Sequence, residues 1–192
     1  KMDEMAADAV FETEGDRHLA TYNLYRAKCM DLALMPKSTI EWVKRWDLWK
    51  MRNKFIDFTD MIDIVRIIGD PLPGEPQIGI YDECQDFNRL EFRLLRHWAQ
   101  FQEYVILAGD DDQTIYTFTG ASPDAFMDPE IPPENKRILK QSYRLPRVIH
   151  RYSQEWIQQI TNREPKEFNP KDEEGSIIYS KSTYKTPQWA IE

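Results

Sequence analysis

The sequence predicts an α/β fold built on a parallel sheet, with a helical N-terminal third. Three observations predict it. Two short apolar runs, Ile78 to Tyr81 and Tyr104 to Ala108, each end abruptly in polar residues: DECQD (Asp82 to Asp86) and GDDDQ (Gly109 to Gln113). Between them, Leu90, Phe92, Leu94, Leu95 and Trp98 recur at mixed three- and four-residue spacings, as in a helix packed on a sheet. Strand, helix, strand of this length is a βαβ unit, with parallel strands and a right-handed crossover. Parallel strands share a carboxyl edge, so DECQD and GDDDQ should emerge side by side. That edge is where open α/β proteins place their chemistry.

The other elements follow in order. Arg17 to Leu34 carries apolar residues at helical spacing and stops at Pro36. Ser38 and Glu41 have capping-box spacing ahead of Trp42, Val43, Trp46 and Trp49. A third helix covers Thr59 to Ile68 and stops at Gly69, and Pro71 to Pro76 is a turn-rich connector. Asn88 is the expected N-cap of the crossover helix. Beyond the βαβ unit, Pro129 to Asn135 reads as a linker and Arg137 to Gln141 as a short strand. Leu145 to Ile160 reads as a helix with Pro146 in its first turn. Val148, Ile149, Tyr152, Trp156, Ile157 and Ile160 would line its buried face. Ile177 to Ser180 is one more strand. The expected domains are 1–54, a helical segment; 55–128, the sheet-bearing segment; and 129–192, a linker with the start of a second lobe.

A chain of 192 residues holds one good core, or one and a half small domains. Its net charge of −8 excludes a general polyanion binder, so any nucleic-acid contact must be local or lean on stacking. Cys29 and Cys84 lie far apart without metal-like spacing, which points to a reducing compartment; the expected setting is cytoplasmic or nucleoid-associated. No apolar run is long enough to span a bilayer and no signal peptide opens the chain, so no membrane partner is expected. The first residue is Lys1, and the expectation is a chain that begins inside a longer gene product or follows a removed tag. His18, His97 and His150 have no spacing that suggests a metal site or triad. Trp42, Trp46 and Trp49 form a stripe on one helical face among basic residues; the sequence favours a buried helix face over a nucleic-acid patch.

Asp82, Glu83, Asp86, Asp110, Asp111 and Asp112 should crowd one small region. Like charges that close destabilise one another unless some protonate, turn away or share a cation. An oxygen-rich carboxylate site suits Mg²⁺ together with substrate phosphates. Asp112 reads as a turn cap, and Asp111 is divided between cap and site.

DECQD, GDDDQTIYTFTGA and QSYR (Gln141 to Arg144) resemble, in order, motifs II, III and IV of superfamily 1 DNA helicases of the UvrD/Rep/PcrA type. FIDFTDMI, Phe55 to Ile62, resembles the segment that precedes motif II in that family. The resemblance covers Phe55 to Ile160. It implies part of a first RecA-like lobe, a helical insertion before it, and the start of a second RecA-like lobe. It implies ATP and Mg²⁺ as cofactors and single-stranded DNA and the remainder of the helicase chain as partners. Asp82 would hold the metal and Glu83 would activate water. Gln113 would sense the γ-phosphate, Arg144 would reach it as an arginine finger, and Tyr143 would stack on adenine. Tyr116 and Phe118 would offer ring faces to DNA bases.

There are departures. The chain holds no GxxxxGK[ST] phosphate loop; in the family that motif precedes the insertion, so it would lie before Lys1. The later motifs would follow Glu192. The positions after Tyr116 and Phe118, where family members often carry arginine, are Thr117 and Thr119, and Ser142 stands where asparagine is usual. The reading is a fragment of an ATP-dependent translocating helicase that alone does not hydrolyse ATP at a useful rate. The alternatives are a catalytically inactive helicase-like scaffold or DNA- or protein-binding module, and a metal-dependent nuclease built on the carboxylate cluster.

Overall fold

The computed structural model describes residues 13–114, 120–121, 131–160 and 163–178. The chain divides into two compact units, Lys1–Ile131 and Pro132–Glu192.

The first unit opens with α1 (Glu14–Ala27), closed at its start by a reciprocal capping box between Thr13 and Asp16. The helix ends at Ala27, not at Leu34 as expected. Cys29 takes a left-handed conformation, φ 53°, which the helix cannot pass through. Asp31 then caps a separate 3-10 turn, Leu32–Leu34. Helix α2 (Lys37–Asn53) starts at an N-cap Pro36 without any side-chain cap. The expected Ser38–Glu41 box is therefore not used: Ser38 already lies inside the helix. Lys54, at φ 58°, ends it. Helix α3 (Phe58–Ile68) begins in a capping box of Asp57 and Asp60 and ends at Gly69, φ 79°, where a glycine carries no left-handed cost.

The βαβ unit is present. Strand β1 (Ile78–Tyr81) pairs in parallel with β2 (Tyr104–Leu107), Ile78 opposite Tyr104 and Tyr81 opposite Leu107. Helix α4 (Arg89–Ala99) runs between them, with Asn88 accepting from the Leu90 and Glu91 N–H groups. Cys84, Phe92 and Leu95 form the core under this unit, flanked by Tyr81, Phe87 and Leu107. A second core joins α1 to α2 through Tyr22, Met35 and Val43. Between the two cores lies a buried ionic network. Arg26 of α1 donates to Asp57, Asp60 and Asp63, and Lys50 of α2 donates to Asp57 and Asp60. Apolar residues on the sheet and on α3 remain uncovered: Ile78, Ile80 and Ile106, and Phe58, Ile67 and Ile68.

In the second unit the expected strand at Arg137 to Gln141 does not form. Only Gln141 makes an isolated parallel bridge, to Asn169, so this apolar run has no ladder to join. Helix α5 (Arg147–Ile157) is shorter than expected, with Pro146 as N-cap. Its expected buried face is not buried: Tyr152 and Trp156 are exposed. Ile177 and Ile178 are not in a strand; the other two residues of that expectation lie outside the described residues.

Both cysteines are free. Burial pushes the Cys84 thiol up to about 11, against a lowering contribution from the Ala108 backbone, and its Sγ donates to the Tyr81 carbonyl. Cys29 is half-buried and also raised by burial. Since the thiolate is the reactive form, iodoacetamide at neutral pH should label Cys29 first. Cys84 should label only on unfolding, as peptide mass mapping with and without denaturant would read. Equal rates in the folded protein would contradict the burial.

Candidate functional site at the carboxyl edge of the sheet

The parallel pairing continues past the strand ends. Ala108 N–H donates to the Tyr81 carbonyl at 2.8 Å, and Cys84 N–H to the Ala108 carbonyl at 2.9 Å. DECQD and GDDDQ therefore leave the sheet side by side. Glu83 sits in the left-handed region, φ 53°, which costs a non-glycine residue about 1–2 kcal/mol. This single residue turns the chain from β1 into a 3-10 turn, Cys84–Asp86. The turn carries Gln85 inward, where it is fully buried.

Gln85 joins the two segments. Its Nε2 donates to Glu83 Oε2 at 2.8 Å, and its Oε1 accepts from the Asp110 N–H at 3.0 Å. On the far side, Gln113 Nε2 donates to Asp110 Oδ2 at 2.6 Å. A continuous hydrogen-bonded path thus runs Glu83–Gln85–Asp110–Gln113. Asp82 is exposed, with Oδ1 accepting from the Glu83 N–H at 2.9 Å. Asp110 also caps the following 3-10 turn, Asp111–Gln113, accepting from Asp112 N–H. Asp111 is buried at the head of that turn.

The expected crowd of carboxylates takes a different form. Among the described residues, no group of three or more His, Cys, Asp or Glu comes together to hold a metal. The side chain that links the two segments is an amide, Gln85. Asp82 alone, exposed and with one oxygen already engaged, fits the hard oxygen chemistry of Mg²⁺ only as one ligand beside water and phosphate oxygens.

Tyr116 and Phe118 lie outside the described residues. Gly120 takes φ 95°, where an added Cβ would meet Ala27 Cβ at 2.9 Å. Ala121 bridges Asn88, so Gly120 and Ala121 lie against α1 and the N-cap of α4. In the second unit, Tyr143 is 87% exposed. Arg144 is also exposed, and Ser142 Oγ closes the turn that presents both, accepting from Leu145 N–H at 3.0 Å.

Gln85 was not singled out from the sequence as a site residue, and Asp110 entered only as one of the crowded carboxylates. A signal was available: of the residues in DECQD, glutamine alone can donate to a carboxylate and accept from a backbone N–H at once.

Residues 75–131, which include both strands, α4 and the path from Glu83 to Gln113, match the family described as UvrD/REP helicase N-terminal domain. The chain is similar to "ATP-dependent DNA helicase PcrA" of Bacillus subtilis, 29% identical over 137 residues, covering 67% of this chain and 18% of the relative. It is 31% identical over 140 residues to "Probable DNA helicase II homolog" of Mycoplasma capricolum, covering 68% of this chain and 19% of the relative. With PcrA of Staphylococcus aureus the identity is 28% over 124 residues, 60% of this chain and 17% of the relative. The chain spans about a fifth of the length of these curated relatives. The matches support a helicase fragment of the UvrD/PcrA type. Among the described residues, no helix is long and apolar enough to cross a membrane.

Proposed function

We propose that this chain is part of an ATP-dependent motor that moves on single-stranded DNA, and that the carboxyl edge of its sheet is half of the hydrolysis site. The observation that carries this reading is the hydrogen-bonded path from Glu83 through Gln85 and Asp110 to Gln113. It fixes a base and an amide at the ends of two adjacent parallel strands, where a phosphate chain can lie between them.

Mg²⁺ would neutralise charge on the β- and γ-phosphates. Asp82 would contribute one ligand to it. Glu83 would take the proton of the attacking water as general base. Gln113 would hydrogen-bond the γ-phosphate and lose that contact after cleavage, changing the tension on Asp110. Arg144, on the second unit, would supply the planar cation that suits phosphate, and the exposed Tyr143 would stack on adenine. Tyr116 and Phe118 would stack on bases of the strand. The uncovered apolar faces of the sheet and of α3 support a unit that further strands and helices complete. RecA-like lobes on either side of the nucleotide are the architecture this reading requires.

The test is ATP hydrolysis by the product of the whole open reading frame that contains this chain, with and without single-stranded DNA. DNA-stimulated, Mg²⁺-dependent turnover is expected there, and none from the 192 residues alone. No stimulation and no turnover in the whole product would sink the motor reading and leave a helicase-like binding scaffold.

A further inference from the structure

We infer that the exposed flank of α2 is a second binding surface for single-stranded nucleic acid, apart from the carboxyl edge. It rests on the motor reading only in the choice of DNA as the natural strand. The observations behind it are independent of the hydrolysis site.

The tryptophan stripe of α2 is not simply a buried face. Trp42 and Trp46 pack against the α1–α2 core. Farther along the helix, Trp49 is 47% exposed, and Phe55 just beyond its end is 58% exposed. The rings form one continuous stack. Centroids lie 5.5 Å apart for Trp42–Trp46, 5.2 Å for Trp46–Trp49 and 5.5 Å for Trp49–Phe55, with interplanar angles of 12–25°. The core holds one end of this ladder rigid, and its other end is open to solvent. A flat apolar ring fixed in place is what a base stacks on at low entropic cost.

Charge selects the occupant. Helical spacing places Arg45 and Arg52 four before and three after Trp49, on one flank of the stripe. Lys54 stands beside Phe55. All three are exposed. Among the described residues none of them makes an ion pair or a side-chain hydrogen bond. Unpaired cations on a chain of net charge −8 are notable because carboxylates are plentiful elsewhere. The only acids on α2 are Glu41, one turn before Arg45, and Asp47. Asp47 faces the other side and pairs with Lys50. The open Phe55 end of the stack, with unpaired cations along its flank, complements a strand whose bases are unstacked and whose phosphates lie alongside. A duplex hides its base faces and offers nothing to the rings.

The test is fluorescence anisotropy of labelled (dT)20 with the full 192-residue chain, as a function of salt. Phe55→Leu should weaken binding about tenfold. The double variant Arg45→Gln, Arg52→Gln should lower the salt slope by about 1.4, two phosphate contacts at roughly 0.7 each for a single strand. Both arginines are exposed and make no ion pair among the described residues, so the second variant keeps the test valid if Phe55→Leu perturbs folding, which circular dichroism would reveal. Tyr116→Ala with Phe118→Ala should leave the α2 contribution intact. If that variant alone abolishes binding while the α2 variants match wild type, the inference fails and the motor reading stands. Absence of (dT)20 binding, or equal binding of blunt duplex, also overturns the inference, while ATP turnover by the whole open reading frame judges the motor reading separately.

Discussion

Arg26→Ala should lower the stability of the first unit by about 3–5 kcal/mol, the usual cost of removing one partner from a buried ion pair. Set against a typical total of about 5–15 kcal/mol, that loss leaves the unit close to unfolding at room temperature. The side chains of Arg26 and Lys50 are only 6% and 7% exposed, and both serve the same carboxylates. Without Arg26, Asp57 and Asp60 share a single buried ammonium, Lys50, and Asp63 keeps only Arg66. Arg26 also lies 4.9 Å over the Tyr22 ring, so α1 loses an anchor to its own core. Urea unfolding of wild type and variant would read the difference. A change under 1 kcal/mol would mean that the network is solvated and carries little.

The same network sets a pH dependence. Burial alone would raise the Asp60 carboxyl, but the Lys50 hydrogen bond, the Asp57 backbone N–H region and the field of Arg26 hold it below its ordinary 3.8. A depressed carboxylate stabilises the fold above its unfolded value, and this contribution is lost as pH falls through the folded value. Lys50 moves oppositely. Burial would lower its ammonium, yet hydrogen bonds to Asp57 and Asp60 raise it above its ordinary 10.5. Its contribution is full below that value and fades as pH rises through the folded one. Stability should therefore be flat at neutral pH and fall at both extremes. As pH falls through the depressed Asp60 value, the gap between wild type and Arg26→Ala should narrow, because the Asp60 carboxylate that pairs with Arg26 is then protonated.

How far these features could be read from the sequence follows from which forces act locally. The βαβ unit was legible because apolar period, strand length and the Asn88 cap all act within about a dozen residues and agree. The first helix was overrun to Leu34 because nothing in Cys29 announces a left-handed residue; the helix closes there with Cys29 N–H on the Arg26 carbonyl and Met30 N–H on the Tyr25 carbonyl. Ser38 matched a cap pattern that the chain does not use, since Pro36 already sets the helix start. Lys50 looked like one of several surface cations on α2. Only the fold of α3 across it brings Asp57 and Asp60 near, and these are 7 and 10 residues away in sequence. The run at Arg137 had strand composition but no ladder partner, and composition cannot supply one. At the site, Asp82, Glu83 and Gln113 were placed together by parallel pairing alone. The link through Gln85 was not, because a buried amide is recognised by its two partners, and one of those is a backbone group 25 residues on.

That link makes the second large prediction. In the whole gene product, Glu83→Gln should cut ATP turnover by about 10²–10⁴-fold, the contribution of a positioned general base. Gln85→Leu keeps the volume of the buried side chain and removes both of its hydrogen bonds. Glu83 then loses the donor that fixes its carboxylate, and the Asp110 N–H loses its acceptor. Displacement of a reacting group by about 1 Å can cost on the order of 10²-fold, so turnover should fall far more than strand binding does. Gln85→Glu separates positioning from packing. Its carboxylate can still accept from Asp110 N–H but repels Glu83, and a like charge at this distance raises a carboxyl pKa. The acid limb of the pH–rate profile should then move to higher pH, a shift that mere loosening of the turn would not produce. Full turnover in Gln85→Leu, or an unmoved acid limb in Gln85→Glu, would show that Glu83 is held by something other than this amide. Positioning would then fall to the left-handed turn at Glu83 itself.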